Sequence, residues 1–401
     1  DREMTDVAAP TRALFAGLQP QAPDPLLSLI KLYRDDPRPQ KLDLGVGVYR
    51  DDDGATPVFA SIKAAEQILL ESQDTKAYLG PEGDIGYLER LRPVVFGPGK
   101  GGDFFGVQTP GGTGALRMAA ELAAAGTPGA RIWMGAPSWP IHGPLFRKAG
   151  LTVETFRYFD PVTQSLCFDE MMGALAKVGA GDIVLLHGAC HNPTGADLSL
   201  PQWGEVTALL ASRGAVPLID LAYQGLGSGL DQDAAGLRMM VEACPTVLVA
   251  YSCDKNFGLY RERTGALYVR AAGYQDVAAS NILQLARCAW SMPPDHGAAA
   301  VRIVLESETL TAQWRAELEA MRLRLNAMRV ALADADPRLE PLRDQFGLFG
   351  LLPLSPAQVE AMRRDHAVYM VGSGRINIAG FTPATVQPFV QALDACLKGD
   401  A

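Results

Sequence analysis

Excess positive charge is the first thing missing from this chain of 401 residues: 36 Lys and Arg stand against 45 Asp and Glu, a formal net charge of −9. A nucleic-acid surface needs a basic stripe, so no nucleic-acid partner is expected, although a few arginines can still build a local anion pocket. Long apolar runs are missing too. Stretches such as Ile183–Leu186 and Val247–Ala250 fall far short of the roughly 20 residues that cross a bilayer, and no membrane partner is expected. Cysteine is sparse: Cys167, Cys190, Cys244, Cys253, Cys288 and Cys396 form no C-x-x-C pair and no Cys/His group at metal-ligand spacing. They read as free thiols in a reducing cytoplasm, with no metal site. The first residues carry neither the apolar core of a secretory leader nor the Arg/Ser-rich character of a transit peptide, which again predicts a cytoplasmic protein. No internal repeat is visible.

What is present is an ordinary globular composition, 48% hydrophobic and 20% charged, in a chain long enough for two or three domains. Residues 1–30 read as a Pro-rich arm (Pro10, Pro20, Pro23, Pro25) that leads into a short helix. Between Ile132 and Ser252, four short apolar runs alternate with helical stretches: Ile132–Met134, Ile183–Leu186, Val216–Ile219 and Val247–Ala250. Alternation of this kind predicts an α/β fold with a mainly parallel sheet between two helical layers. Ser199, Pro201 and Gln202 spell a capping box with an early proline, and Gly214 closes that helix. Beyond Pro293, Trp314, Leu318, Met321, Leu325, Met328 and Leu332 recur at helical spacing and predict one long amphipathic helix. Ser355–Pro356–Gln358 and Thr382–Pro383 open two more. The expected division is an N-terminal arm and part of a small domain over 1–55, a large domain over 56–318 and a smaller α/β C-terminal domain over 319–401.

Polar residues cluster where such sheets bind ligands, at the carboxyl ends of the strands. Ser138, Trp139 and His142 follow the first apolar run, and His187, His191 and Asn192 the second. Asp220 and Tyr223 follow the third; Ser252, Asp254 and Lys255 follow the fourth. One crevice lined by all of them is predicted. Lys255 after a buried strand, with Arg261 and Arg263 nearby, has the setting that lowers an amine's pKa, as a Schiff-base lysine requires. A carboxylate on a buried strand, as at Asp220, needs a cationic partner; a structural turn-capping role is the competing reading. Gly106–Leu122 (GVQTPGGTGALRMAAEL) reads as a Gly-rich loop opening into a helix, with Gly111, Gly112, Thr113 and Gly114 offering backbone N–H groups to a phosphate. It lacks the Gly-Lys-Ser/Thr of a Walker loop, and Arg117 stands in place of the third glycine of a dinucleotide fingerprint.

Together these segments resemble the aspartate/aromatic aminotransferases, the class I, fold type I pyridoxal-phosphate enzymes. The resemblance is carried by SCDKNFGLYRERTG (Ser252–Gly265), HNPTG (His191–Gly195), DLAYQG (Asp220–Gly225), SWPIH (Ser138–His142), LGVGVYRD (Leu44–Asp51), TKAYLG (Thr75–Gly80) and SGRINIAG (Ser373–Gly380). It implies that Lys255 carries pyridoxal 5'-phosphate and then shuttles a proton between Cα and C4′. By the same resemblance Asp220 would keep the ring nitrogen protonated, Asn192 and Tyr223 would hydrogen-bond the ring's 3-oxygen, and Trp139 would stack on the ring. Gly112, Thr113, Ser252 and Arg263 would bind the phosphate, with Tyr78 reaching that of a neighbouring subunit in a homodimer. Arg375, helped by the Gly47 backbone and the Trp139 indole, would clamp the substrate carboxylate. Arg287 would reach across the dimer to a second carboxylate, and His142 would support Asp220 from behind.

Several positions depart from the family pattern. Asp254 stands where a second serine is usual beside the phosphate, so either its side chain turns away or the pocket is altered. Ile141 replaces an Asn, Trp290 a Tyr, and Ala77 and Met292 stand where strict aspartate enzymes carry Asn. These swaps imply a more apolar side-chain pocket. The function expected is transamination between an aromatic amino acid or aspartate and 2-oxoglutarate, in ping-pong fashion. The alternatives are a narrow aspartate enzyme, a pyridoxal-phosphate lyase or decarboxylase, a nucleotide-binding oxidoreductase using Gly111–Gly114, and a non-catalytic relative.

Overall fold

The structure, a computed structural model, describes residues 13–398, so Pro10 and the start of the arm lie outside it. Seven strands form the main sheet: β1 Phe105–Pro110, β2 Arg131–Ala136, β3 Thr152–Arg157, β4 Ile183–His187, β5 Val216–Leu221, β6 Val247–Ser252 and β7 Thr264–Arg270. Their order is β1-β7-β6-β5-β4-β2-β3. All neighbours from β6 to β3 pair in parallel, and β7 runs antiparallel to both β6 and β1.

Each central strand divides its side chains between two cores, as the two-residue pleat requires. Val184, Leu186, Ile219, Val249, Tyr251 and Tyr268 belong to one core, which also holds Trp203 and Leu210 of the helix Leu200–Arg213. Ile183, Leu185, Leu218, Leu248, Ala250 and Leu267 belong to the other, with Leu116 and Met118 of the helix Gly111–Gly126 and Ile282 of the helix Gln275–Ala289. Both faces are therefore covered, and the three-layer α/β expectation is met.

The cap signals place the helices well. Ser199 and Gln202 form the capping box of Leu200–Arg213, and Gly214 ends it in the left-handed conformation. Ser355 and Gln358 do the same for Pro356–His366. The long helix runs Glu308–Ala335 and buries all six residues of the expected apolar stripe. Two readings need correction. Gly111–Gly114 is the first turn of the helix Gly111–Gly126 rather than a loop, because β1 delivers the chain directly into it. Thr382–Pro383 opens a short 3-10 turn, and the last helix begins at Val386.

The two ends of the chain come together. Leu42–Asp43 pairs in parallel with Val368–Tyr369, and Phe349–Leu351 pairs antiparallel with Arg375–Asn377. No helix among the described residues is long and apolar enough to cross a membrane.

The long helix also braces the turn after β6. Trp314 is fully buried, its ring stacks on Phe257 at 4.2 Å, and its indole N–H donates to the Asn256 carbonyl at 2.7 Å. Trp314→Ala is therefore expected to lower unfolding stability by about 3–5 kcal/mol. Urea unfolding of the two proteins checks this, and a loss under about 1 kcal/mol would show that the turn is held by other contacts.

Candidate active site

The register of the sheet assembles the site. His187 pairs with Asp220 across β4 and β5, Asp220 with Ala250 across β5 and β6, and Ser252 with Gly265 across β6 and β7. By the pleat, His187, Asp220 and Ser252 share the face of Leu185, Leu218 and Ala250, the face covered by the helix Gly111–Gly126. Three polar side chains thus leave the carboxyl ends of adjacent strands on one side, and the turns beyond them add the rest. A single pocket is lined by Gly112, Thr113, Trp139, Asn192, Asp220 and Tyr223, together with Ser252, Asp254, Lys255 and Arg263.

Asp220 is held ionised by what stands behind it. Burial pushes its pKa up, but the His142 hydrogen bond and the neighbouring His142, His187 and Lys255 outweigh that and hold it below the usual carboxylate value. His142 Nε2 lies 2.8 Å from Asp220 Oδ2, Ser138 Oγ lies 2.7 Å from His142 Nδ1, and His187 Nε2 lies 3.0 Å from Ser138 Oγ. A carboxylate can only accept, so His142 donates from Nε2, and the Ser138 hydroxyl bridges His142 Nδ1 and His187 Nε2. The support of Asp220 by His142 was expected; the Ser138–His187 extension was not. Its only sequence signal was that these residues also follow strands.

Lys255 is partly buried, and burial, aided by Arg263 and Arg375, lowers its pKa against the pull of Asp254 and Asp220. Its ammonium nitrogen sits 5.4 Å from the Tyr223 ring centroid. Burial raises the Tyr223 hydroxyl.

At the other end of the pocket, the first turn of Gly111–Gly126 meets Arg263. The Gly111 N–H donates to the Arg263 carbonyl at 2.8 Å. A Cβ on Gly111 would lie 2.5 Å from Arg263 Nη2, and one on Gly112 would lie 3.2 Å from Ser252 Cβ. Gly111 adopts φ +68°, which favours glycine, and both residues open a helix start that attracts an anion. Asp254 does not turn away. Its carboxylate accepts from Arg263 Nη1 and from the Thr264 backbone N–H at 3.1 Å, so the anion pocket is altered.

Arg375 lies beside this pocket. Its Nη2 donates to the Gly45 carbonyl at 3.0 Å and its Nη1 to Asn192 Oδ1 at 3.4 Å, while Nε is buried with no protein partner. The guanidinium lies 4.3 Å over the Phe349 ring, and a Cβ on Gly47 would stand 3.5 Å from that same ring. Arg375 and Trp139 also line an apolar cavity with Leu26, Ile141, Val162 and Leu354.

Besides Arg375, three expected residues stay outside the pocket of their own chain. Tyr78 is 90% exposed, and Arg287 is exposed and donates to Ser291 Oγ. Gly47 reaches the site only through its contact with the Arg375 platform. Of the apolar swaps only Ile141 lines the cavity; Trp290 faces Arg117, Met118 and Leu285 instead. Reasoning from sequence also missed Asp197, whose carboxylate accepts from the backbone N–H groups of Cys190 and His191, both at 2.8 Å, and so shapes the loop that presents Asn192.

Burial, the largest influence on His187, pushes its pKa from the ordinary 6.5 to about 3. The unfolded chain gains that proton near pH 6.5 and the folded chain does not, so stability falls as pH drops from about 6.5 towards 3. His187→Asn is expected to flatten this fall by up to about 1.4 kcal/mol per pH unit. Denaturation at pH values across that window checks it; parallel pH curves for the two proteins would refute it.

Comparison with known proteins agrees with this arrangement. The family described as "Aminotransferase class I and II" matches residues 39–393. The chain is 53% identical to a tyrosine aminotransferase of Rhizobium meliloti (strain 1021), over 92% of this chain and 97% of that protein. It is 42% identical to an aspartate aminotransferase of Escherichia coli (strain K12), over 96% of this chain and all of that one. Among solved structures, the aromatic-amino-acid aminotransferase from Burkholderia pseudomallei covalently bound to pyridoxal phosphate superposes with a TM-score of 0.92 at 35% identity, covering 96% of this chain and 100% of the other. With a family model matched over most of its length and relatives this similar, the chain is an enzyme and belongs to the class I and II aminotransferases.

Proposed function

We propose that this enzyme is a cytoplasmic homodimer that transfers amino groups between an aromatic amino acid or aspartate and 2-oxoglutarate, using pyridoxal 5'-phosphate in a ping-pong cycle. The observation that carries the reading is that Lys255, Asp220 and the Gly111–Arg263 cradle line one pocket. The residues present fit the cofactor: a cradle that a Cβ would fill suits a phosphate ester, and an ionised carboxylate at the far end suits a protonated ring nitrogen. When bound, that cofactor supplies an aldehyde for the amino group and a ring that accepts the electron pair left on the substrate's α-carbon.

The protein's part is binding, orientation and proton transfer. Gly112, Thr113, Ser252 and Arg263 hold the phosphate, with Tyr78 joining from a second subunit, a role supported by its exposure away from its own pocket. Asp220, backed by His142, keeps a proton on the ring nitrogen, and Trp139, Asn192 and Tyr223 fix the ring's position. Lys255 would bond to the cofactor's aldehyde and would be the base for the substrate's α-proton; its lowered pKa favours the neutral amine. Arg375 binds the substrate carboxylate, its Nε being the buried donor without a protein partner, and the Gly47 backbone and Trp139 border that site. The apolar cavity beside Trp139 and Ile141 supports aromatic donors, and Arg287 from the second subunit would serve a second carboxylate. We place the arm and part of a small domain in 1–55, the large domain in 56–318 and the rest of the small domain in 319–401. A narrow aspartate enzyme is the second reading, supported by the likeness to the Escherichia coli protein.

Lys255→Ala is expected to reduce transamination at least about 10⁴-fold and to remove the visible absorbance of the bound cofactor. Retained turnover would overturn the assignment. Arg287→Ala is expected to cut kcat/KM for aspartate by about 10–100-fold and to leave phenylalanine within a few-fold. Equal losses would make Arg287 structural, and a wild-type enzyme inert toward phenylalanine and tyrosine would favour the narrow aspartate reading.

A further inference from the structure

The anion cradle already contains an anion. The Asp254 side chain is only 3% exposed and is ion-paired to Arg263. A Cβ on Gly111 would stand 3.3 Å from Asp254 Oδ2, which places the carboxylate at the first turn of the helix Gly111–Gly126. The two features that attract a phosphate, a helix start and an arginine fork, are therefore engaged by a side chain. A phosphate ester entering here meets a like charge at short range in a partly desolvated pocket, where repulsion is strong.

We propose that Asp254 takes up a proton from solvent when the phosphate ester enters the cradle, changing from a competing anion into an O–H donor to that ester, so that Asp254 protonation sets the affinity for cofactor. The proposal rests on the cofactor assignment above. Two effects drive the uptake in the same direction. The arriving phosphate disfavours the carboxylate by its own charge, and it draws the Arg263 fork away from the carboxylate it was stabilising. A neutral carboxyl then offers a hydroxyl where the related enzymes usually carry a serine. The other groups around Asp254 do not prevent this. Arg263 and Lys255 favour its charged form, while burial, the largest influence, already raises its pKa. Tyr260 and Cys253 are both pushed up by burial and stay neutral, and the helix start, Gly111–Gly114, brings no titratable side chain. Because uptake accompanies binding, affinity is highest at low pH and falls as pH rises through the range where free Asp254 ionises.

Calorimetric titration of the cofactor-free full chain tests this, with pyridoxal 5'-phosphate and with pyridoxal, in buffers of different ionisation heat between about pH 6 and 8. Asp254→Asn and Asp254→Ser are expected to bind pyridoxal 5'-phosphate on the order of tenfold more tightly than wild type at the upper pH, with about one proton fewer taken up. Pyridoxal, which lacks the phosphate and senses Asp254 only through Lys255, should differ far less among the three proteins. Unchanged or weaker binding in both variants, with the same proton count, would overturn the proposal. If neither variant folds, the wild type alone decides at the upper pH, where the ester enters fully ionised: equal proton uptake with pyridoxal and its phosphate overturns it, and greater uptake with the phosphate supports it. Failure of every protein to bind pyridoxal 5'-phosphate would instead defeat the cofactor assignment.

Discussion

A carboxylate at the end of a strand buried on both faces costs several kcal/mol unless cations and donors compensate it, and the site is organised around that constraint at Asp220. Behind it stand His142, Ser138 and His187 in sequence, and in front of it the pocket contains Lys255. The supports come from different segments: His187 from β4, Asp220 from β5, and Ser138 with His142 from the chain after β2. Parallel pairing is what lets them converge, because every parallel strand ends at the same edge of the sheet. The one reversed strand in the sheet, β7, serves the other end of the pocket: running antiparallel, it begins at the edge where β6 ends.

That reversal explains the cradle. Gly265 pairs with Ser252, and a Cβ on it would lie 2.4 Å from the Gly111 carbonyl carbon. The start of β7 is thus pressed against the start of the helix Gly111–Gly126, and Arg263, just before β7, is carried onto that helix start. Arg263 adopts φ +52°, in the left-handed region, and its carbonyl is fixed by the Gly111 N–H. Two glycines packed backbone to backbone, with one arginine held in an unfavourable conformation, bring the guanidinium to the helix N-terminus. Asp254 is the counter-charge that this concentration of positive potential accepts in place of solvent.

Local chemistry was legible in the sequence wherever a residue's own hydrogen bonds decide its place. The boxes at Ser199 and Ser355, the left-handed Gly214 and the stripe from Trp314 to Leu332 needed no tertiary information. Four central strands were readable because burial on both faces makes them continuous apolar runs. β3 was not, since an edge strand (TVETFR) has one exposed flank and reads as polar, and β1 (FGVQTP) is interrupted by Gly and Gln; β7 carries an apolar run, Ala266–Val269, but follows β6 without the intervening helix that marks the others. The convergence of Asp220, Tyr223, Ser252 and Lys255 followed from strand ends alone. The Ser138 bridge to His187 did not, because it joins residues 49 apart through a geometry that only the sheet fixes. Nor did the Arg263–Asp254 pair: Asp254 was seen as out of place, but its partner depends on which way β7 runs. Nor did the place of Trp290, which lines a separate cavity in its own chain, since spacing along the chain does not say which side of a helix end faces a cavity.

Substrate choice follows from a division within the site. Arg375 is fixed by the Gly45 carbonyl, the Phe349 ring and Asn192. Its strand pairs with Phe349–Leu351, and Leu351 stands opposite it in register. This support is built from three distant parts of the chain, and in the proposed role as carboxylate grip Arg375 would meet every α-amino acid alike, so it would not discriminate among side chains. In the proposed function discrimination comes from the cavity beyond Trp139, where the described residues of one chain supply Leu26, Ile141, Val162 and Leu354, the carboxylate Asp24 and, besides Arg375, no cation. A single chain therefore presents an apolar surface to whatever extends past the α-carbon. An acidic side chain there would lose its hydration without gaining a partner, unless a second subunit brings one. On the proposed function, apolar selectivity is intrinsic to the protomer, and acceptance of dicarboxylates would be a property of the proposed dimer.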